Sequence, residues 1–373
     1  MTTQFIVGAD TAANRLRRAG TAMAAGSPVV LVDDRTSASD GYLIMAAEAA
    51  TTSTVAFFIT HSSGLLCVAL PKPDCDRLAI PAMAGAASDS GAFNACVAVD
   101  AASGISTGIS AHDRARTASM LADPASSADD FTRPGHVIPV QTSPDGVLRR
   151  NNVAEAASDL AAAAGCRPVA LFAALVSQRR PTDVAQGSEL NEFAEIHRLV
   201  TISISDVIAY RMSVDPLVSR LATARLPLRA GATRMLGYRG SIDGAEHVAV
   251  VTGEPAAAEN VPVYVHQECL TGDVFGSSEC GCRQRLERAV VTIASAGCGV
   301  VIYLRPLEGG TQCDLVHQPR QRDRWLSYVA ANIAQDIGVR SVCLLEDNAG
   351  DRAAFQDRGL PTHMHELAVA AIA

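Results

Sequence analysis

The stretch "HQECLTGDVFGSSECGC", His266 to Cys282, places three cysteines at spacing C-x10-C-x-C beside a histidine, two glutamates and an aspartate. Thiolates are good ligands for zinc. Gly281 lies between Cys280 and Cys282, and a glycine there permits the tight turn that brings both thiols to one ion. Cys269 reaches the same ion across the loop "LTGDVFGSSE". Three protein thiolates leave a fourth position for water, the arrangement of a catalytic zinc. A structural zinc with a fourth protein ligand, or three unmetallated thiols, are the alternatives on spacing alone.

Around this loop the sequence alternates strand-like and helical segments. Upstream lie "ATRMLGYRG", "EHVAVVTGE" and "VPVYVHQE", and downstream the helix "CRQRLERAVVTIASAG", with Leu286, Ala289, Val290 and Ile293 on one face and Gly297 as its stop. The strand "GVVIYLRP", the polar segment "LEGGTQCDLVHQPRQRDR", the helix "WLSYVAANIAQDIG" and the strand "VRSVCLLED" follow. The first half has its own pattern of strand-like runs, "SPVVLVDD", "TVAFFITHSSGLLCVAL", "AFNACVAVD" and "PVALFAALV", interleaved with the Ala-rich helix "EAASDLAAAAG". "LVTISISDVIAYRM" closes it with apolar alternation, and "SVDPLVSRLATARLPLRAG" reads as a connector. The expectation is a mixed α/β (α+β) chain of two layered sheet-and-helix domains, residues 1–212 and 213–373, a length that suits two cores better than one.

Composition narrows the function classes. With 48% hydrophobic and 19% charged residues the chain is globular rather than disordered. A net charge of -8 argues against a nucleic-acid-binding surface. No run reaches the roughly 18 to 20 apolar residues of a membrane span, and "MTTQFIVGADTAANRLRR" lacks the pattern of an export signal. A cytoplasmic protein is expected, and its ten cysteines are then thiols or metal ligands rather than a disulfide framework.

The sequence from His266 to Cys282 resembles the signature H-x-E-C-L-T-G-D-V-F-G-S-x-x-C-x-C of the zinc-dependent GTP cyclohydrolase II family. The resemblance extends through "LVSRLATARLPLRAG", "DGAEHVAVVTGE", "GVVIYLR" and "DIGVRSVCLL". The first half is similar to 3,4-dihydroxy-2-butanone 4-phosphate synthase, through "VVLVDD", "SGISTGISAHDRARTASMLADPASSADDFTRPGHVIPV" and "DGVLRR". Together the halves resemble the bifunctional riboflavin-biosynthesis proteins. That family implies a magnesium-dependent domain making a four-carbon phosphate from ribulose 5-phosphate, a zinc domain opening the imidazole ring of GTP, and a homodimer.

Several positions depart from the family. In the first half, Ala38 and Val153 stand where the resemblance implies magnesium ligands, and Ala174 where it implies a glutamate, so the magnesium site is expected to be lost. Asp33, Asp34, Thr107, Asp113, His136, Arg149, Arg150 and Glu155 survive. In the second half the zinc ligands Cys269, Cys280 and Cys282 are kept, while Tyr264 replaces an arginine and Arg285 a glutamine. Arg305 to Gly310, "RPLEGG", ends without the family's arginine, and Glu346 and Asp351 replace a threonine and a lysine. Asp323 falls on the general-base position, Trp325 on that of an arginine nucleophile, and Arg324 is one residue away.

The reading taken from these residues is a divergent zinc hydrolase of cyclohydrolase type. Its expected catalytic groups are Asp323 and Glu268, and its substrate contacts Tyr264, His266, Arg285, Arg305, Glu308 and Arg324. The substrate would be a purine-like or other small heterocycle with less phosphate charge than GTP. The alternatives are a non-catalytic scaffold paralogue with structural zinc, and ordinary GTP cyclohydrolase II chemistry in riboflavin biosynthesis.

Overall fold

The computed structural model describes residues 12–35, 38–83, 94–305 and 324–364. They fall into two units, Met1–Arg211 and Met212–Ala373. The first contains α1 (Ala12–Ala24), β1 (Val29–Asp33), β2 (Asp40–Ala46), α2 (Thr52–His61), β3 (Leu66–Pro71), α3 (Lys72–Arg77) and β4 (Val99–Ala101). It continues with α4 (Ala111–Ala122), β5 (Phe131–Thr142), α5 (Val153–Ala163), β6 (Ala170–Ala174), α6 (Ser188–His197) and β7 (Val200–Ser203), followed by α7 (Ile204–Val214). Its mixed sheet runs β4-β5-β3-β6-β2-β1-β7. Alternate residues feed two cores, with Val30, Leu43 and Met45 on one face and Val29, Leu31 and Ile44 on the other.

In the second unit β8 (Val218–Leu228), β9 (Gly231–Gly240) and β10 (Glu246–Thr252) form an antiparallel meander. Then come β11 (Val261–Gln267), α8 (Cys282–Ala296), β12 (Gly299–Leu304), α9 (Arg324–Ile337), β13 (Val342–Leu344), α10 (Ala349–Asp357) and β14 (Thr362–Met364). The sheet order is β14-β13-β11-β12-β10-β9-β8. β11 and β12 are adjacent and parallel with α8 as their crossover. Residues just past their carboxyl ends therefore emerge side by side, the usual place for a site in such a sheet.

Three segments differ from expectation. "TSTVAFFITH", read within a strand-like run, is α2: Thr51 caps it by accepting from the Thr54 amide, and Val55 and Phe58, three apart, are buried. Tertiary packing overrides the β-propensity of its branched and aromatic residues. "ISDVIAYRM", read as strand alternation, is helical from Ile204, with Asp206 in the first turn held by Arg15 at 2.6 Å and Ile204, Val207 and Met212 buried. The connector "SVDPLVSRLATARLPLRAG" contains β8, paired with β9 from Val218 to Leu228. Most of β8 is exposed, so it lacks the half-buried alternation that marks a strand.

Candidate metal centre

β11 ends at Gln267, and the chain passes through Glu268 and Cys269 into a single π-turn, Leu270–Val274. Such turns are uncommon and concentrate at functional sites. Cys269 Sγ accepts from the Gly272 amide at 3.3 Å, which aims the sulfur into the turn. Cys282 opens α8. The sulfurs of Cys269, Cys280 and Cys282 lie within 4.8 Å of one another, with Cys269 and Cys280 3.8 Å apart. That is too long for a disulfide, about 2.05 Å. It equals the ~3.8 Å between two sulfurs that each sit about 2.3 Å from one tetrahedral zinc.

The backbone is shaped around the trio. A Cβ on Gly272 would stand 2.6 Å from Cys280 Sγ, 3.0 Å from Cys269 Sγ and 3.1 Å from Cys282 Cβ. Gly281 has φ -94° and ψ 17°, so the turn between Cys280 and Cys282 is made with a negative φ open to other residues as well. A Cβ on Gly281 would lie 3.4 Å from an Arg285 nitrogen, an ordinary contact distance, so the close packing in this loop falls on Gly272 rather than Gly281. Among the described residues no histidine or carboxylate joins the three thiols. The donor set and its cradle fit zinc.

Beneath the loop is a buried polar network. His266, 3% exposed, meets both oxygens of Asp273 through Nε2 at 2.9 and 3.1 Å, and its Nδ1 is 3.3 Å from the Tyr264 hydroxyl. Asp273 also accepts from the Cys269 amide and from the Tyr303 hydroxyl, each at 2.9 Å. Burial first, then the Asp273 bond, pushes the Tyr303 phenol up, so it stays a donor. His266 thus sits under the site with both ring nitrogens engaged inside the protein. Sequence reasoning noted Asp273 beside the cysteines without giving it a role, and passed over Tyr303 inside an apolar run.

The remaining expected residues divide. Arg285 donates to Cys282 Sγ at 3.3 Å and faces Glu346 at 3.9 Å. Tyr264, 4% exposed, belongs to the small core under α8 with Ala289, Ile293 and Val301. Glu268 pairs with Arg305 at 3.5 Å, because Gln267 and Leu304 are partners across β11 and β12. The Arg305 amide donates to His247 Nδ1 at 3.2 Å. His247 is 1% exposed, its Nε2 is without a partner among the described residues, and burial pulls its pKa down. Arg324 lies over the Tyr328 ring at 5.8 Å, and Trp325 Nε1 donates to Asp243 at 3.1 Å. Asp351 is buried and accepts from Ser327 at 2.6 Å, linking α10 to α9. Glu308 and Asp323 lie outside the described residues.

In the first unit Ala38 is exposed between β1 and β2, Val153 is packed in the core at the start of α5, and Ala174 ends β6. Asp33 is gripped by Arg35 through bonds of 2.7 and 2.6 Å, and Asp34 accepts from the Ser205 amide. Glu155 is fully buried and takes its charge partner, Arg150, at 2.6 Å. Arg150 is therefore a core ion-pair member, whereas Arg149 is exposed. Asp113 accepts from Ser106 and from the Gly108 amide; these bonds outweigh the opposing effect of burial and hold its pKa at about 2. His136 Nδ1 lies 2.6 Å from Asp100 Oδ2, a half-exposed imidazole oriented by a buried carboxylate. A Cβ on Gly108 would meet that carboxylate at 2.1 Å. Asp100 too was missed, being the last letter of an apolar run.

Comparison with known proteins follows the same division. Residues 17–210 match the family model described as 3,4-dihydroxy-2-butanone 4-phosphate synthase, and residues 219–364 that described as GTP cyclohydrolase II. The chain is 43% identical over 369 residues to riboflavin biosynthesis protein RibBA of Rhodococcus jostii, covering 92% of this chain and 88% of that one. It is 42% identical over 356 residues to the Salinispora tropica protein of the same name, covering 90% and 88%. A solved two-domain 3,4-dihydroxy-2-butanone 4-phosphate synthase from A. baumannii, RibBX, superposes with a TM-score of 0.72 at 26% identity, covering 94% of this chain and 99% of that one.

Proposed function

The chain belongs to the family of bifunctional riboflavin-biosynthesis proteins, and from that premise we propose that its second unit opens the imidazole ring of GTP at a zinc ion held by Cys269, Cys280 and Cys282. The observation that carries this reading is the convergence of three sulfurs around a glycine with no room for a side chain. Kinship with proteins named for riboflavin biosynthesis supports the ordinary family substrate over the unknown heterocycle that the sequence alone put first.

Zinc bound there would supply Lewis acidity and activate water for attack on the imidazole carbon. The chain's own groups divide the rest. Asp273 fixes the Cys269 amide, and His266 and Tyr303 fix Asp273, so the loop is set before substrate arrives. Glu268 follows β11 directly, precedes a metal ligand and has Arg305 as its counter-ion; on this reading it exchanges a proton with the substrate. Asp323 and Glu308 enter on the family resemblance alone. Incubation of the zinc-loaded protein with GTP should release formate, and a metal-replete protein that leaves GTP intact would overturn the reading.

A second reading keeps the zinc and changes the substrate. Glu346 stands 3.9 Å from Arg285, so the guanidinium that contacts Cys282 is already matched by a carboxylate and offers less to a triphosphate. On this reading GMP or guanosine is turned over faster than GTP, and parallel assays of the three separate the two.

For the first unit we propose that magnesium-dependent synthesis of the butanone phosphate does not occur. Magnesium demands about six oxygen ligands in octahedral array. Ala38, Val153 and Ala174 offer no side-chain donor, Asp33 and Glu155 are committed to arginines, and the described residues hold no other cluster of three ligating side chains. These absences among the described residues support the proposal. The Asp100–His136 pair remains able to accept a proton from a bound ligand. Conversion of ribulose 5-phosphate by the full chain with magnesium would contradict this.

A further inference from the structure

Arg285 lies one turn into α8 from Cys282 and donates to its sulfur at 3.3 Å. A neutral thiol is a weak acceptor with little claim on a guanidinium. A thiolate bound to a metal is a strong one. Three thiolates on a divalent ion leave one excess negative charge at the centre, and Arg285 is a cation in direct contact with one of them.

Its position is held from two sides: Glu346 faces its Nε at 3.9 Å, and the buried Tyr264 hydroxyl interacts with it. Its side chain is only 35% exposed. A planar guanidinium stays charged at any working pH and has several donors in a fixed plane, so one edge serves the sulfur while another serves the carboxylate.

We propose that Arg285 is a positioning residue of the metal centre: it hydrogen-bonds the Cys282 thiolate, offsets the excess charge of the three-sulfur site and fixes the direction of that ligand. The inference rests on the zinc site proposed above. It assigns Arg285 to the ligand rather than to the phosphates of the substrate. Partners of metal ligands acting this way contribute roughly 10- to 100-fold in metal affinity.

The test uses the full chain loaded with zinc and, separately, with cobalt(II), whose sulfur-to-metal charge-transfer absorption reports the electron density on the thiolates. In Arg285→Met, zinc affinity measured against a chromophoric chelator should fall about 10- to 100-fold. The cobalt band should move to longer wavelength, because an unbonded sulfur gives up charge more readily. Arg285→Lys, which keeps a donor and the charge, should recover most of both. A merely structural arginine would change the urea midpoint of the metal-free protein and leave the band where it was. Unchanged affinity and an unchanged band in Arg285→Met overturn the inference while leaving the zinc reading intact. Failure of the unaltered chain to bind one zinc overturns both.

Discussion

A methyl group at position 272 would stand 2.6 Å from one sulfur and 3.0 Å from another. Gly272→Ala should therefore spread the three thiols and lower zinc affinity roughly tenfold or more, read by chelator competition. Affinity equal to that of the unaltered chain would mean the loop relaxes freely and is no cradle. Asp113 offers a test by pH. Its folded pKa is held at about 2 against an ordinary 3.8, so its bonds to Ser106 and Gly108 stabilise the fold fully above 3.8 and lose that effect as pH falls toward 2. Asp113→Asn should be less stable at neutral pH, with a deficit that shrinks below pH 4. A deficit constant from pH 7 to 2.5 would contradict the assignment. At this scale the thiols were legible because their spacing is itself the ligand set. The glycine's role was not, because which neighbour a missing side chain makes room for is set by the folded loop.

The π-turn after β11 is the element on which the site hangs. Asp273 serves three donors at once, from Cys269, His266 and Tyr303. Asp273→Ala leaves these buried groups unpaired and should cost about 1–3 kcal/mol or more in urea unfolding, since each orphaned donor carries its own desolvation penalty. A change below about 0.5 kcal/mol would mean the network is replaced by water. α8 could be read from its helical period because one face is buried, and β11 and β12 as short apolar runs because both of their faces are. Exposed β8 could not, and α2 and α7 were mistaken because short apolar runs fit either period until their caps and partners are known. Trp325 and Asp351 likewise acquire a meaning only from their partners: Trp325 binds Asp243 and Asp351 binds Ser327.

Across the molecule the metal positions of the two units are proposed to differ. One keeps three thiols in ligand geometry, and the other places Val153 in a hydrophobic core where its family resemblance implies a metal-binding side chain. The full chain with magnesium should therefore form no butanone phosphate from ribulose 5-phosphate, and Val153→His alone should not restore it, because Ala38 supplies no second ligand. Magnesium-dependent product from the unaltered chain would show that other donors complete the site.

The central claim, that the thiol trio is a zinc centre for imidazole ring opening, meets its most direct test in formate released from GTP by the full-length protein carrying one zinc. Formate should appear in step with GTP loss and vanish in Cys280→Ala. Stoichiometric zinc with no formate would contradict the account.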